Sequence, residues 1–149
     1  IKIHDMLLDN IDLRKGYRTH NIRVFKSRFK ASDVKYVKVD MKLLFKWYKT
    51  NKRKLHPLVL ACLFHQKFEK IHPFSDGNGR TGRMVMNYLL LLNEYPPVII
   101  KKKNRSEYLA TLSKADRTGI DNVKPADFND LVNYVGAELV DSYWINFNI

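Results

Sequence analysis

Apolar residues recur at helical spacing through most of this chain. Met41, Leu44, Phe45 and Tyr48 fall at i, i+3, i+4 and i+7, which predicts a helix capped by Asp40. Pro57 suits the first turn of a second helix, running through Leu58, Ala61, Cys62, Phe64, His65 and Phe68 to Glu69. A third, from about Arg80 to Asn93, is apolar on nearly every side (Met84, Val85, Met86, Leu89 to Leu92), the pattern of a central, buried helix. Pro96-Pro97 forces a stop. Ser106 can cap a short helix holding Tyr108, Leu109 and Leu112. Pro125 can open a last one with Phe128, Leu131, Val132, Val135 and Leu139 on one face. Ile3, Met6 and Leu7 give a short amphipathic start. One segment alone reads as strand: Ile22-Arg23-Val24 alternates and, continued from Phe25 to Phe29, predicts a small hairpin turning near Lys26-Ser27. With no repeat, low-complexity tract or second-domain boundary, the expectation is one all-α domain over residues 1–149 with a small β-hairpin.

Composition adds one unusual feature. The 149 residues suit one domain with a real core. The formal net charge of +12 implies attraction to something anionic: nucleic acid, phosphate-bearing ligands, an acidic protein or a membrane surface. Cys62 is the only cysteine, so no internal disulfide can form, and no Cys/His cluster suggests structural zinc. No apolar run approaches the roughly 18 residues of a membrane span. No leader pattern opens the chain, although it begins at Ile1 and not at Met, as a core lacking an upstream segment would.

The chemistry concentrates in His72-Pro73-Phe74-Ser75-Asp76-Gly77-Asn78-Gly79-Arg80-Thr81-Gly82-Arg83. His72 precedes proline, which disfavours helical geometry and ends the helix before it. Gly77 and Gly79 bracket Asn78, so the backbone can take unusual dihedrals and approach a ligand closely. A helix follows at once, and its first amides lack internal partners and carry the positive end of the dipole, a ready phosphate site. Arg80 and Arg83, three apart on one helical face, could grip phosphate oxygens. Asp76 is a hard oxygen ligand suited to Mg²⁺, which binds through one or two carboxylates plus substrate phosphates. His72 is the one group in the loop that ordinarily titrates near neutrality, as a general base requires. Singly, each has a plain structural reading: a turn histidine, a capping aspartate, a tight turn, a solvated pair of arginines. Their coincidence in this order describes a phosphoryl or nucleotidyl transfer site.

These residues resemble the Fic family, marked by H-P-F-x-[DE]-G-N-G-R-x-x-R; the chain matches all nine specified positions. The resemblance extends to Gly16-Tyr17-Arg18 and Asn21 to Val24 before a flap hairpin, to His56-Pro57-Leu58 with Ala61, His65, Phe68 and Glu69, and to Pro96-Pro97, Arg105, Tyr108 and Leu112. It implies a Fic-type helical bundle that transfers AMP from Mg-ATP to a Ser, Thr or Tyr hydroxyl of a target protein. By that analogy His72 is the base and Asp76 holds Mg²⁺. Gly77, Asn78 and Gly79 form the anion hole, with Arg80 and Arg83 on the phosphate chain. The flap (Ile22, Arg23, Val24, Phe25 and onward to Phe29) docks the target by strand addition, Phe74 plugs the core, and Tyr108 lies near the adenine. His65, on an apolar helix face, reads as a structural histidine.

Departures from related patterns carry information too. A kinase-type branch of the family replaces the first motif glycine by Ala and the second by Lys, so Gly77 and Gly79 favour nucleotidyl transfer. The family's inhibitory motif, [ST]-x-x-x-E-[GN], is absent, since none of Glu69, Glu94, Glu107 and Glu138 precedes Gly or Asn. An inhibitor is therefore expected upstream of Ile1, or as a separate antitoxin-like protein, or not at all. Two alternatives stay open: a Fic-type transferase using another nucleotide or phosphate donor, and a nucleic-acid-binding module suggested by the charge and by Lys101-Lys102-Lys103-Asn104-Arg105. The second lacks interleaved stacking aromatics. The expected setting is a bacterial-type cytoplasm without membrane attachment, with export as an effector also compatible.

Overall fold

The computed structural model describes residues 2–7, 16–22, 30–115 and 125–147, and every regular element among them is a helix. They are α1 (Lys2–Leu7), α2 (Val37–Asn51), α3 (Pro57–Ile71), α4 (Asn78–Leu91), α5 (Arg105–Ala115) and α6 (Asn129–Phe147). Short 3-10 turns at Val34–Tyr36, Lys102–Asn104 and Pro125–Phe128 lead into α2, α5 and α6. The all-α expectation holds. No strand occurs among the described residues; of the hairpin expected over residues 22 to 29, all but Ile22 lies outside them.

The central helix is α3, and this corrects the expectation that α4 is. Every residue of α3 from Leu60 to Phe68 is buried, and α3 packs against α2, α4 and α6. α4 is one-sided. Met86, Leu89 and Leu90 face the core, while Met84, Tyr88, Leu91 and Leu92 are exposed. Met84, Tyr88 and Leu91 lie at i, i+4, i+7, an apolar stripe turned outward, so apolarity all round misled about burial. Conversely, Gln66, Lys67 and Glu69 disguise α3, yet Gln66 and Lys67 are buried, with the Lys67 ammonium 5.6 Å from the Trp47 ring centroid.

Local signals set the ends of α3. Pro57 occupies its first turn and His56 caps it, the ring Nδ1 accepting from the Leu58 amide at 3.3 Å. At the far end His72 adopts the left-handed region, φ 51° and ψ 61°, while its amide still donates to the Phe68 carbonyl at 2.9 Å. α2 starts three residues before the expected cap, leaving Asp40 in its first turn, where a carboxylate favours the helix dipole. Beyond α4, the Asn87 amide grips both polar groups of Val98 (2.9 and 3.0 Å) and lays the Pro96–Pro97 stretch along the helix.

Candidate active site

The loop between α3 and α4 is held from below by its own side chains. Phe74 is buried; its ring stacks on His4 at 3.6 Å between centroids and packs against Tyr17 and Phe68. Asn78, first residue of α4, turns its amide inward, accepting from the Phe74 amide at 2.9 Å and donating to the Phe74 carbonyl at 2.8 Å. The Asn78 side chain therefore closes the loop and does not face a ligand. Gly77 sits at φ 75°, the left-handed region in which a Cβ is strained.

Two residues clamp this loop from elsewhere in the chain: Arg18, named in the family-like lead-in without a role, and His4, which no sequence pattern marks. Buried Arg18 donates from Nε to the His72 carbonyl at 2.8 Å and from its other nitrogens to the carbonyls of His20, Ile71 and Ser32. Its own amide donates to the Pro73 carbonyl at 2.9 Å. Arg18 is what holds His72 in an uncommon backbone conformation for a non-glycine residue. His4, on α1, donates from Nε2 to the Asp76 carbonyl at 3.0 Å. It is His4, not Met6, that α1 turns into the fold. Both contacts join residues more than 50 positions apart, beyond any local pattern.

The His72 ring is tethered on one side. Its Nδ1–H donates to the Glu69 carbonyl at 3.2 Å, which makes Nε2 the basic nitrogen. Burial first, and the Arg18 guanidinium after it, lower the pKa below its usual 6.5, against the Glu69 hydrogen bond and the Asp76 charge. The imidazole is accordingly neutral at pH 7, the form a general base needs.

Ahead of it, Thr81 N to Gly77 O (2.9 Å) is the first helical bond of α4. The amides of Asn78, Gly79 and Arg80 thus precede the hydrogen-bonded ladder at the positive end of the helix, a cradle for anions. The two arginines diverge from the shared face expected of them. Arg80 is exposed and pairs with Asp76 at 3.2 Å. Arg83 folds back over the cradle; a Cβ on Gly79 would lie 3.2 Å from its guanidinium, so this glycine makes room for the arginine. Tyr108 and the carboxyl of Glu69 are both close enough to feel the Arg83 charge, which opposes the rise in their pKa values. Tyr108, expected near an adenine, is buried with its hydroxyl on His65 Nε2, and offers no ring face to a base in this conformation. His65 is the structural histidine expected, fully buried with its pKa pushed down to about 3 by burial, and so neutral.

Glu69, named in the family-like helix without a role, is a third such residue: a carboxylate on an apolar face, three before His72, is the signal for it. One carboxyl oxygen lies 3.7 Å from His72 Nδ1, and a Cβ on Gly82 would lie 2.6 Å from the other. Burial raises its pKa to about 7, against the pull of Arg83. A folded pKa above the ordinary 4.5 means that the contribution of Glu69 to stability is fully present below pH 4.5 and is lost as pH rises through about 7. Glu69→Gln, uncharged in both states, is therefore expected to exceed the parent in stability by about 1–3 kcal/mol at pH 8. The difference should vanish near pH 4.5 or below. Thermal melts of both proteins across that range check it, and a variant less stable at pH 8 would refute the burial-dominated balance.

Asp76 fits the role of Mg²⁺ ligand. Its side chain is 58% exposed at the mouth of the cradle, and one oxygen is engaged by Arg80. No group of three or more His, Cys, Asp or Glu able to hold a metal occurs among the described residues. A single carboxylate beside a phosphate cradle suits a metal that arrives on a nucleotide. Ile22, first of the four flap residues, is half-buried; Arg23, Val24 and Phe25 lie outside the described residues. Among those residues no helix is long and apolar enough to cross a membrane.

Comparison with known proteins gives a consistent picture. A model of the Fic/DOC family matches residues 1–90. The chain is 32% identical over 117 residues to protein adenylyltransferase fic-1 of Caenorhabditis elegans, covering 78% of this chain and 23% of that protein. It is 35% identical over 121 residues to protein adenylyltransferase Fic of Aedes aegypti, covering 80% and 24%. A solved structure of a Fic domain-containing signalling protein from Bacteroides thetaiotaomicron matches with a TM-score of 0.78 at 31% identity, over 85% of this chain and 51% of that one. A Fic family protein from Desulfovibrio desulfuricans matches at 0.77 and 29%, over 96% and 44%. This chain thus spans less than a quarter of the length of those two adenylyltransferases.

Proposed function

The chain belongs to the Fic/DOC family, and from that premise we propose that it is a protein adenylyltransferase, moving AMP from ATP to a Ser, Thr or Tyr hydroxyl of a target protein. The observation that carries the reading is the pairing of a neutral His72, basic at Nε2, with the open N-terminal turn of α4 one loop away. His72 Nε2 takes the proton of the target hydroxyl as its oxygen attacks the α-phosphorus of ATP. A new O–P bond forms, and the bond to pyrophosphate breaks. The amides of Asn78, Gly79 and Arg80 receive phosphate oxygens, and Arg83 leans over them to offset developing charge. Asp76, with the nucleotide's own phosphates, would hold Mg²⁺, which supplies charge neutralisation to the triphosphate. The 22–29 segment is assigned to target docking by strand addition, a mode tolerant of target sequence.

Regulation follows from Arg83. Among the described residues the carboxyl that faces it is Glu69 of α3, from behind the cradle, and the chain has no inhibitory [ST]-x-x-x-E-[GN] motif to block it from the front. ATP is expected to enter unless an inhibitory segment upstream of Ile1 or a separate inhibitory partner closes the site. The base of the donor is read outside the loop, which leaves donor choice to experiment. Incubation with Mg²⁺, a candidate target and ATP, UTP, GTP or CDP-choline in turn, followed by intact-mass analysis, is expected to give an AMP adduct on a hydroxyl side chain. Preferential adducts from UTP, GTP or CDP-choline would reassign the donor while retaining the site.

A further inference from the structure

One exposed surface is self-repelling and finds no ion-pair partner among the described residues. On α2, Lys38, Lys42, Lys46 and Lys49 follow at i, i+4, i+8 and i+11, and all are exposed. Lys35 precedes them on the same side, and Lys52-Arg53-Lys54 continues beyond. Residues three and four apart are helical neighbours, so each successive pair in this row repels. A solvated helix face ordinarily alternates signs, but the one acid of α2, Asp40, lies two residues from both Lys38 and Lys42 and so faces away. None of the four lysines is ion-paired among the described residues. The row repels along its own helix and is offset by no ion pair among the described residues.

Its surroundings identify the class of partner. Val39 and Leu43 border the row on one edge, 52% and 39% exposed, with Phe45 exposed on the other. A phosphodiester backbone would satisfy the lysines but leave Val39 and Leu43 in water. A bilayer favours the reverse layout, apolar residues in the middle of the exposed arc and cations at its rims. A protein segment with both acidic and apolar side chains uses the whole face. The segment that leads into the row is tied to the end of α3 and to the loop: the Ser32 amide, six residues before Lys38, donates to the Lys70 carbonyl at 3.3 Å, and Arg18 bonds both Ser32 and His72.

We propose that the α2 face is a docking surface for an acidic, partly apolar segment of the target protein. The occupant's identity as target rests on the adenylyl-transfer reading; the surface itself does not. From Lys38 to Lys49 the helix rises about 16 Å, so an extended segment of roughly five or six residues would cover it.

The test is binding without nucleotide, read by fluorescence anisotropy of a short peptide alternating glutamate and leucine. The parent protein is expected to bind it, more weakly as salt rises. The same peptide with glutamine for glutamate should not bind. Replacing Lys38, Lys42, Lys46 and Lys49 by Gln is expected to weaken binding about tenfold or more, with a melting temperature equal to the parent's or higher because repulsion is removed. The Lys38→Gln, Lys42→Gln double variant should fall between. Unchanged binding in the quadruple variant would overturn the proposal, as would tighter, stripe-dependent binding of an oligonucleotide or of phosphatidylserine vesicles. Transfer of AMP to an uncharged serine peptide, expected to be equal in parent and variant, reports separately on the transferase reading. Its absence from both would sink that reading while the binding result still decides this one.

Discussion

His72→Ala is expected to lower AMP transfer by about 10³-fold, within the range a positioned general base contributes, while leaving ATP binding intact. The ring acts through Nε2, and nothing else in the loop can take its place: Asp76 is ion-paired with Arg80, and His65 is sealed in the core. On the proposed reading the nucleotide is held by backbone amides of α4 and by Arg83, so its affinity should not depend on the imidazole. Single-turnover labelling would show the loss, and titration calorimetry the retained affinity. The pH dependence has a definite sign. Because burial and Arg18 lower the His72 pKa below 6.5, the parent rate should not fall on account of His72 until pH drops below that value. A rate that fell from pH 8 to 7 with the titration of His72 itself would contradict the geometry.

Phe74→Ala should have the largest effect on stability, about 3–5 kcal/mol, as for aromatic truncations at buried sites. The ring joins three parts of the chain, touching His4 of α1, Tyr17 of the 16–22 segment and Phe68 of α3. The backbone of the same residue is what Asn78 grips, so without the ring to anchor it the N-terminus of α4 loosens and with it the cradle. Activity should therefore fall with stability, and Phe74→Leu should recover most of both. Urea unfolding of the two variants measures this. A cost below about 1 kcal/mol for the alanine, the level of an ordinary surface change, would mean that the ring does not anchor the loop.

What the sequence made legible was local. The left-handed turn at Gly77 and the end of α3 at His72 follow from glycine freedom, proline sterics and helix-end chemistry within one stretch of chain. α4, by contrast, starts at Asn78, two residues before the expected Arg80, because Gly77 itself makes the turn. The all-helical character followed from periodicity. What stayed hidden depends on contacts across the fold. Arg18 and His4 reach the loop from more than 50 residues away, and no spacing rule connects them to it. α4 reads as the central helix because its apolar residues run all round it, whereas α3 hides its burial behind Gln66, Lys67 and Glu69. Tyr108 was assigned to a ligand by resemblance, but packing puts its hydroxyl on His65. The inward turn of Asn78 and the separation of Arg80 from Arg83 are matters of side-chain rotamer, set by Phe74, Asp76, Glu69 and Tyr108 together.

The central claim is that this site transfers a nucleotidyl group and not a phosphoryl group. Parallel reactions with Mg²⁺, a target protein and ATP labelled at either the α- or the γ-phosphorus test it most directly. The structure and its family predict label on protein from α-labelled ATP alone, with one pyrophosphate released for each AMP attached, and neither in His72→Ala. Label on protein from γ-labelled ATP, with ADP as the product, would contradict it.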